Sequence, residues 1–433
     1  MKIYLDSIGC RLNQAEIEAY ARQFRAYGHT LVEAPHAADL VVINTCTVTT
    51  AADSDSRKKI RKAARAGADK VVVTGCWSTL NPAQAASFPG VSDVVPNAEK
   101  DDLVDDALQV SSQTFELEPI ERVAIPGARF RTRLFVKVQD GCDNRCTFCI
   151  TTIARGASRS RTTAEVVADL QAALRSLSDN GSTSAAKEVV LTGVHLGSWG
   201  HDLAPQLHLG DLVRALLEYT DVPRIRLSSL EPWDINNDFF DLWKDPRICR
   251  HLHLPLQSGC AQTLRRMARK TTPQEYANLV RTARESIPGV AITTDVITGF
   301  PGESEREFTQ NLDFVREMHF AGGHVFTYSK RKGTAAALMP DHLPHGIRKQ
   351  RNAQMRQIFT ESASSYRSQF VGQVLPVLWE SAAAYGPDGW EICGLTDNYL
   401  RVKAISPQRL WNEITPVYLI QASADGMLGE LID

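Results

Sequence analysis

The chain has 433 residues, 23% of them charged and 43% hydrophobic, with a formal net charge of −2. That length exceeds what one core can organise and implies two or three domains, while the near balance of charge argues neither for nor against nucleic acid, so any such binding must rest on local basic patches. No apolar run approaches the roughly 20 residues that cross a bilayer, Met1-Lys2-Ile3-Tyr4-Leu5-Asp6 lacks a secretory h-region, and nine cysteines are an odd number on a long chain. A reducing, cytoplasmic setting with thiols used for cofactor ligation follows.

In the first part of the chain, short apolar runs at Ile3–Ile8, Leu40–Asn44 and Val71–Thr74 alternate with helix-like segments at Asn13–Tyr27 and Ser54–Ala66. This alternation predicts βαβ units and a doubly wound parallel sheet, an α/β domain over residues 1–115. Each run ends in a cysteine: Cys10, Cys46 and Cys76. Ligands of open α/β sheets bind at the carboxyl ends of the strands, so three cysteines in equivalent places are expected to meet in one crevice and hold a metal cluster. The alternative is that each is a small buried hydrophobe.

From Leu134 the pattern repeats. Leu134–Val138, Glu188–Thr192, Arg224–Ser228, His251–Leu256, Ile292–Ile297 and His324–Tyr328 read as strands separated by helices such as Ala164–Leu177 and Glu303–Met318. Six βα units over 128–366 predict an open, partial TIM-like barrel with its chemistry at the carboxyl ends of the strands. Just beyond the first strand stand Cys142, Cys146 and Cys149, a C-x3-C-x2-C triplet. Thiolates select iron–sulfur clusters, zinc or copper(I), and three ligands on a cubane leave one iron open to a small molecule. A buried structural zinc is the alternative, and it requires a fourth Cys or His at short spacing that does not follow Cys149. Arg155, Arg159 and Arg161 lie in the small-residue loop after the triplet and can grip phosphates; a solvated surface run is the plainer reading. Cys249, Cys260 and Cys393 have no ligand-like neighbours and are read as structural.

After a basic helical linker carrying Arg348, Lys349, Arg351 and Arg356, segments Gln373–Glu380, Gly389–Cys393, Tyr399–Ala404 and Ile414–Ala422 predict a small β-barrel over 369–433. From Phe370 onward three basic residues stand against eight acidic ones. Contact with RNA through this module must therefore use a few side chains, Arg401 and Lys403, with stacking by Tyr399 or Trp390.

Gly9-Cys10-Arg11-Leu12-Asn13-Gln14, Asn44-Thr45-Cys46-Thr47-Val48-Thr49 and Gly75-Cys76, followed by the C-x3-C-x2-C triplet, resemble the radical S-adenosylmethionine (SAM) methylthiotransferases from about residue 2 to the C-terminus. The Thr-Val-Thr segment with Ala51-Ala52-Asp53-Ser54 and Ser56-Arg57 looks like the branch that acts on N6-threonylcarbamoyladenosine in tRNA. Its neighbours act on isopentenyladenosine in tRNA or on an aspartate of a ribosomal protein. The resemblance implies two [4Fe-4S] clusters: one on Cys142, Cys146 and Cys149, which binds SAM and cleaves it to a 5′-deoxyadenosyl radical, and one on Cys10, Cys46 and Cys76, which holds a sulfur for delivery. It also implies an external electron donor, a sulfur source, tRNA as partner and a monomeric enzyme. Phe148 is similar to the family residue whose main chain approaches the SAM adenine. Thr192-Gly193 departs from the family's Gly-Gly-Glu pattern, so its contact with the methionyl amino group is assigned to backbone. Gln257, Asp295 and Gly299 end the fourth and fifth strands as further SAM contacts, with Gly299 and Gly302 giving the backbone close approach. Arg155, Arg159 and Arg161 resemble the Arg-Gly…Ser-Arg segment at the substrate mouth, although Ile150-Thr151-Thr152 stands where relatives commonly have a proline. The terminal module resembles a TRAM domain. A protein substrate, favoured by the acidic barrel, and a non-catalytic metal-stabilised RNA-binding module are the rival readings.

Overall fold

The computed structural model describes residues 1–110, 132–175, 186–386 and 389–432; the boundary expected between 115 and 128 lies outside them, as do Asp388 and Asp433. The Val- and Ile-rich runs of the first segment become a parallel sheet in the order Thr30–Leu31, Lys2–Ser7, Leu40–Thr45, Lys70–Gly75, Val91–Val95. Side chains alternate across a strand, so Leu40, Val42 and Val72 turn to one face, beneath Ile17, Tyr20 and Phe24 of helix Arg11–Ala26. Val41, Ile43, Val71 and Val73 turn to the other, beneath Ile60 and Ala63 of helix Thr50–Arg65. Helices on both faces make the sheet doubly wound, as its sequence pattern implied. The two outer strands carry no long apolar run to betray them, one being two residues long and the other interrupted by exposed Ser92 and Asp93. Lys2–Ser7 connects toward one edge and Leu40–Thr45 is added on its other side, so the ligand crevice of such a sheet lies between the carboxyl ends of these two strands.

Six parallel strands follow. Arg133–Lys137, Glu188–Thr192 and Arg224–Leu227 form one ladder and His251–His253, Ala291–Thr298 and Gly322–Thr327 another, joined by single bridges between Ile225 and Ile248 and between Ser229 and His253. Among the described residues the first and last of these strands do not pair, which leaves the barrel open on that side. One apolar core, from Leu134 to Phe359, fills the space between the strands and their helices. Cys249 and Cys260 are buried within this domain, and no described helix is long and apolar enough to cross a membrane.

The C-terminal strands close into a barrel in the order Val374–Gly386, Gly389–Thr396, Arg401–Ser406, Gly426–Leu431, Ile414–Ser423. Its fourth member in that order was hidden by two glycines that resemble turn signals. The space at Gly429 is taken by Val417, whose Cγ1 would lie 2.4 Å from an added Cβ. The turn between the second and third strands anchors the barrel to the rest of the protein. Tyr399 sits in left-handed backbone (φ 65°), with its ring stacked on His251 at 4.0 Å and 3°, Arg226 over its face at 5.1 Å and Arg11 Nη2 donating to its hydroxyl at 2.8 Å. The expectation that Tyr399 stacks an RNA base is thereby corrected, because both of its recognition elements are engaged inside the molecule.

Gly429→Ala is expected to destabilise the barrel by about 1–3 kcal/mol through overpacking, and Val417→Ala in the same chain to recover part of that loss. Denaturant unfolding followed by the fluorescence of buried Trp379 measures both; a Gly429→Ala protein as stable as the parent would remove the argument from Val417.

Candidate active site: two cysteine triads around a buried ion cluster

The first triad is assembled by the strand ends of the N-terminal sheet. Cys10 precedes helix Arg11–Ala26, Cys46 follows Leu40–Thr45, and Cys76 opens helix Cys76–Leu80. Gly9 (φ 109°) lets the first loop come close, since a Cβ there would lie 2.6 Å from Cys46 Sγ. Asn13 Nδ2 ties two of the loops together by donating to the carbonyls of Ile8 (2.7 Å) and Thr45 (3.1 Å), while Cys10 Sγ donates to Asn13 Oδ1 at 3.6 Å. Ser56 Oγ brackets Cys46, accepting from its N–H and donating to its carbonyl. Asn97 Nδ2 points at Cys76 Sγ (3.7 Å) and also donates to Ala154 O (2.8 Å), in the segment just after the second triad. Burial pushes the Cys46 thiol up to about 11, and the neighbouring Cys10 and Cys76 add to the shift. The three strand-terminal cysteines thus share one crevice.

The second triad is carried by a loop that closes on itself: Cys142 N–H donates to Gly156 O at 3.0 Å, and Gln139–Asp140 pairs with Arg159–Ser160. Each sulfur has a polar neighbour of its own, the arrangement that tunes metal-bound thiolates. His195, linked to Asp234 at 2.6 Å, faces Cys142; burial works against its proton, but hydrogen bonds to Asp234 and Cys142 raise it to about 10. Arg269 Nη1 lies 3.6 Å from Cys146 Sγ, steadied by Glu231 and Pro255 O and placed over the Trp233 ring. Thr152 Oγ1 is 3.8 Å from Cys149 Sγ. Three soft donors with no fourth thiol suit an iron–sulfur cluster.

Between the triads lies a cluster of four buried charges. Lys100 Nζ contacts Glu16 Oε1 (2.5 Å) and Asp140 Oδ2 (2.7 Å), and Arg155 Nη1 contacts the same Glu16 oxygen at 2.9 Å and the other Asp140 oxygen, Oδ1, at 2.8 Å. Arg155 Nη2 also donates to Asn13 Oδ1 (2.7 Å), and Asn44 Nδ2 to Glu16 Oε2 (2.8 Å). Asp140 precedes Cys142 by two residues and Asn13 follows Cys10 by three, so this cluster fixes both cysteine loops to one polar centre. Burial alone would raise the two carboxyls, but Arg155 and Lys100 hold both well below the usual carboxylate range. Burial would likewise strip the Arg155 proton, and Glu16, Cys76, Asp140 and Cys10 more than offset it.

This placement corrects the expected substrate grip. The Arg155 guanidinium is 1% exposed and fully engaged, so it is not available to a phosphate. Arg161 is bound to Asp169 at 2.7 Å, and Arg159 alone of the three is exposed. The expected SAM contacts divide similarly. Phe148 packs against Phe300 beside the cysteine loop. Thr192 ends its strand with Gly193 just beyond it, whereas the fourth strand stops at His253 and Gln257 lies past it, bridged singly to Val296 in left-handed backbone (φ 70°). Asp295 lies within its strand, with Oδ2 3.3 Å from His253 and Oδ1 buried without a partner, open to a ligand donor. At Gly299 the room is filled by Arg348, whose Cγ would be 2.4 Å from a Cβ, so close approach there serves this arginine and not a cofactor. Glu16, Lys100, His195 and Arg269 escaped the sequence reading; isolated charged residues carry no spacing signal until the fold brings them together.

Residues 2–96 match the uncharacterized protein family UPF0004 and residues 136–315 the radical SAM superfamily. Over 430 residues the chain is 35% identical to the threonylcarbamoyladenosine tRNA methylthiotransferase MtaB of Bacillus subtilis, covering 96% of this chain and 93% of that protein. The chain belongs to the radical SAM methylthiotransferases, on their MtaB-like branch. The MtaB of Thermotoga maritima is 32% identical over 87% of this chain and 86% of its own length. The tRNA-2-methylthio-N(6)-dimethylallyladenosine synthase of Anoxybacillus flavithermus is 30% identical over 100% and 83%. Among solved structures, the radical SAM methyltransferase TsrM of Kitasatospora setae superposes with a TM-score of 0.58 at 16% identity over 78% and 77% of the chains, a likeness of fold. A methylthiotransferase of this superfamily uses a [4Fe-4S] cluster and SAM, which the Cys142, Cys146 and Cys149 donor set accommodates.

The ion cluster makes the methylthiotransferase acid-sensitive in a defined way. Glu16 and Asp140 have depressed pKa values in the folded protein, so their contribution to stability is present above the ordinary values of about 4.3 and 3.9 and is lost as pH falls through the folded values. Arg155→Met leaves the two buried carboxylates to Lys100 and the more distant Lys137, 3.8 Å from Asp140; a loss of about 3–5 kcal/mol and a shift of the acid-labile range to higher pH are expected in thermal unfolding measured across pH. A variant with an unaltered profile would mean that the cluster does not carry the domain junction.

Proposed function

We propose that this methylthiotransferase acts on tRNA, replacing the C2 hydrogen of N6-threonylcarbamoyladenosine with a methylthio group. The observation that carries the reading is the presence of two separate three-cysteine sites on adjoining elements: helix Cys76–Leu80 packs on helix Thr151–Arg155, and Asn97 reaches from Cys76 to Ala154. An aromatic C–H is neither acidic nor open to simple displacement, so base or nucleophile chemistry on the protein's side chains does not suffice. When bound, a cluster at Cys142, Cys146 and Cys149 supplies the cleavage of SAM to a 5′-deoxyadenosyl radical, and a second [4Fe-4S] cluster at Cys10, Cys46 and Cys76 supplies the sulfur. The chain's own residues hold these sites in register. Asn13 and Asn97 fix the first set of loops and Arg155 ties it to Asp140. The tRNA reading agrees with the substrates named for the relatives from Bacillus subtilis and Thermotoga maritima. The second reading, dimethylallyladenosine, is favoured by the relative from Anoxybacillus flavithermus, which matches the full chain at 30% identity.

Mass spectrometry of tRNA nucleosides from cells lacking the gene separates the two: loss of the methylthio group from threonylcarbamoyladenosine alone is expected, and loss only from dimethylallyladenosine would overturn the primary assignment. Alanine at Cys142, Cys146 or Cys149 is expected to abolish 5′-deoxyadenosine formation. Alanine at Cys10, Cys46 or Cys76 is expected to preserve it while methylthiolation stops and iron content falls by about half, the proportion for two clusters of equal size. Identical losses in all six variants would refute the division of labour.

A further inference from the structure

Helix Thr50–Arg65 leaves the first triad directly. Thr49, three residues beyond Cys46, caps it by accepting from Ala52 N–H at 3.1 Å. Its second half presents Lys58, Arg61, Lys62 and Arg65 at i, i+3, i+4 and i+7, one face of the helix, where they line a shallow depression. All four are exposed. Like charges at this spacing weaken a helix. The helix dipole favours Lys62 and Arg65, which lie in the last turn, but not Lys58 and Arg61. Nor are the charges neutralised locally. Among the described residues the stripe's one ion pair is Lys58 with exposed Asp55 at 3.3 Å, and Arg61 lies over the Phe88 ring at 5.4 Å. Several cations near the triads are engaged, Arg155 in the ion cluster, Arg161 with Asp169, and Arg331 with Asp53 at 2.7 Å, whereas Arg145 and Arg159 of the second cysteine loop are exposed single charges that do not form a stripe.

We infer that this stripe is the docking surface for the sugar-phosphate backbone of a structured RNA, reached by the stem while the target base is held at the active site. The inference rests on the tRNA reading above. A helix rises 1.5 Å per residue, so the stripe begins about 12 Å and ends about 22 Å from the helix start beside Cys46. It contacts phosphates remote from the modified base, and its role is to hold the stem at a fixed distance from the sulfur-bearing site.

The test uses the full chain and two RNA probes, a complete tRNA carrying threonylcarbamoyladenosine and a single-stranded fragment of its anticodon loop without the stem. Lys62→Glu with Arg65→Glu is expected to raise the Kd for tRNA about tenfold and to flatten the salt slope by about one per phosphate contact removed. Affinity for the loop fragment is expected to stay within about twofold, and Lys62→Gln with Arg65→Gln to move the tRNA values in the same direction by less. Unchanged tRNA affinity and salt slope in both double variants would overturn the inference, as would an equal loss for the loop fragment. If the parent enzyme modifies no tRNA, the substrate reading fails instead, an outcome distinct from variants that match a tRNA-active parent.

Discussion

The alternating square of Glu16, Lys100, Asp140 and Arg155 is the constraint on which the active-site geometry depends. Two acids and two bases balance in charge, and each carboxylate touches both cations. Buried ion pairs add little net stability over a well-packed apolar replacement, yet they are unforgiving of partial loss, because any three members leave an uncompensated charge in a low-dielectric setting. That asymmetry suits a junction. Glu16 and Lys100 come from the N-terminal domain and Asp140 and Arg155 from the loop that bears Cys142, so displacing either would break the two contacts that cross the junction, Lys100 with Asp140 and Arg155 with Glu16. Register between the two cysteine sites is therefore enforced by electrostatics, where an apolar interface would tolerate sliding.

A second clamp reinforces the first from the opposite side of the Cys46 loop. Arg331, from the segment after the last barrel strand, donates to Thr47 Oγ1 at 2.6 Å and to both oxygens of Asp53, while Thr50 and Ser329 share a hydroxyl hydrogen bond at 2.8 Å. Thr47 and Thr49 belong to the Thr-Val-Thr segment on which the resemblance to one branch was based. In the structure Thr47 grips the barrel, Thr49 caps a helix, and Val48, between them, is 48% exposed. The segment thus docks domains with its hydroxyls and offers an apolar side chain to solvent, two jobs that the motif alone does not distinguish.

What the sequence revealed follows the physical range of each signal. Period-two apolar runs and their terminal cysteines are local, and they located the parallel sheet, the six barrel strands and both triads. Charge is different, since a side chain's role depends on what folding places beside it. Arg155 sits in a run of exposed-looking residues between Thr151 and Arg161, yet Gly141 and Gly156 fold that run back so that its guanidinium turns inward toward Glu16. Gly299 misled for a related reason. Its positive φ was legible as a need for space, but only the packing of helix His345–Ser368 identifies Arg348 as the occupant.

The acidic C-terminal barrel illustrates the same point at domain scale. Its excess of acids reads as a surface that repels RNA, but Glu380 is bound to Arg133 at 2.6 Å and Asp397 to Arg250 at 2.6 Å, both arginines of the central domain. Arg224 and Arg226 add hydrogen bonds to the carbonyls of Pro376, Leu395, Thr396 and Asp397. Part of the barrel's negative charge is therefore complementary to the cationic side of its own partner domain. Its outward strand from Arg401 to Ser406 alternates exposed Arg401, Lys403 and Ile405 with buried neighbours, so the face left to solvent there is more basic than the composition of the module suggests. Net charge of a module sets its long-range field only after the charges consumed at its interfaces are removed, and here that correction moves the barrel toward compatibility with an RNA substrate.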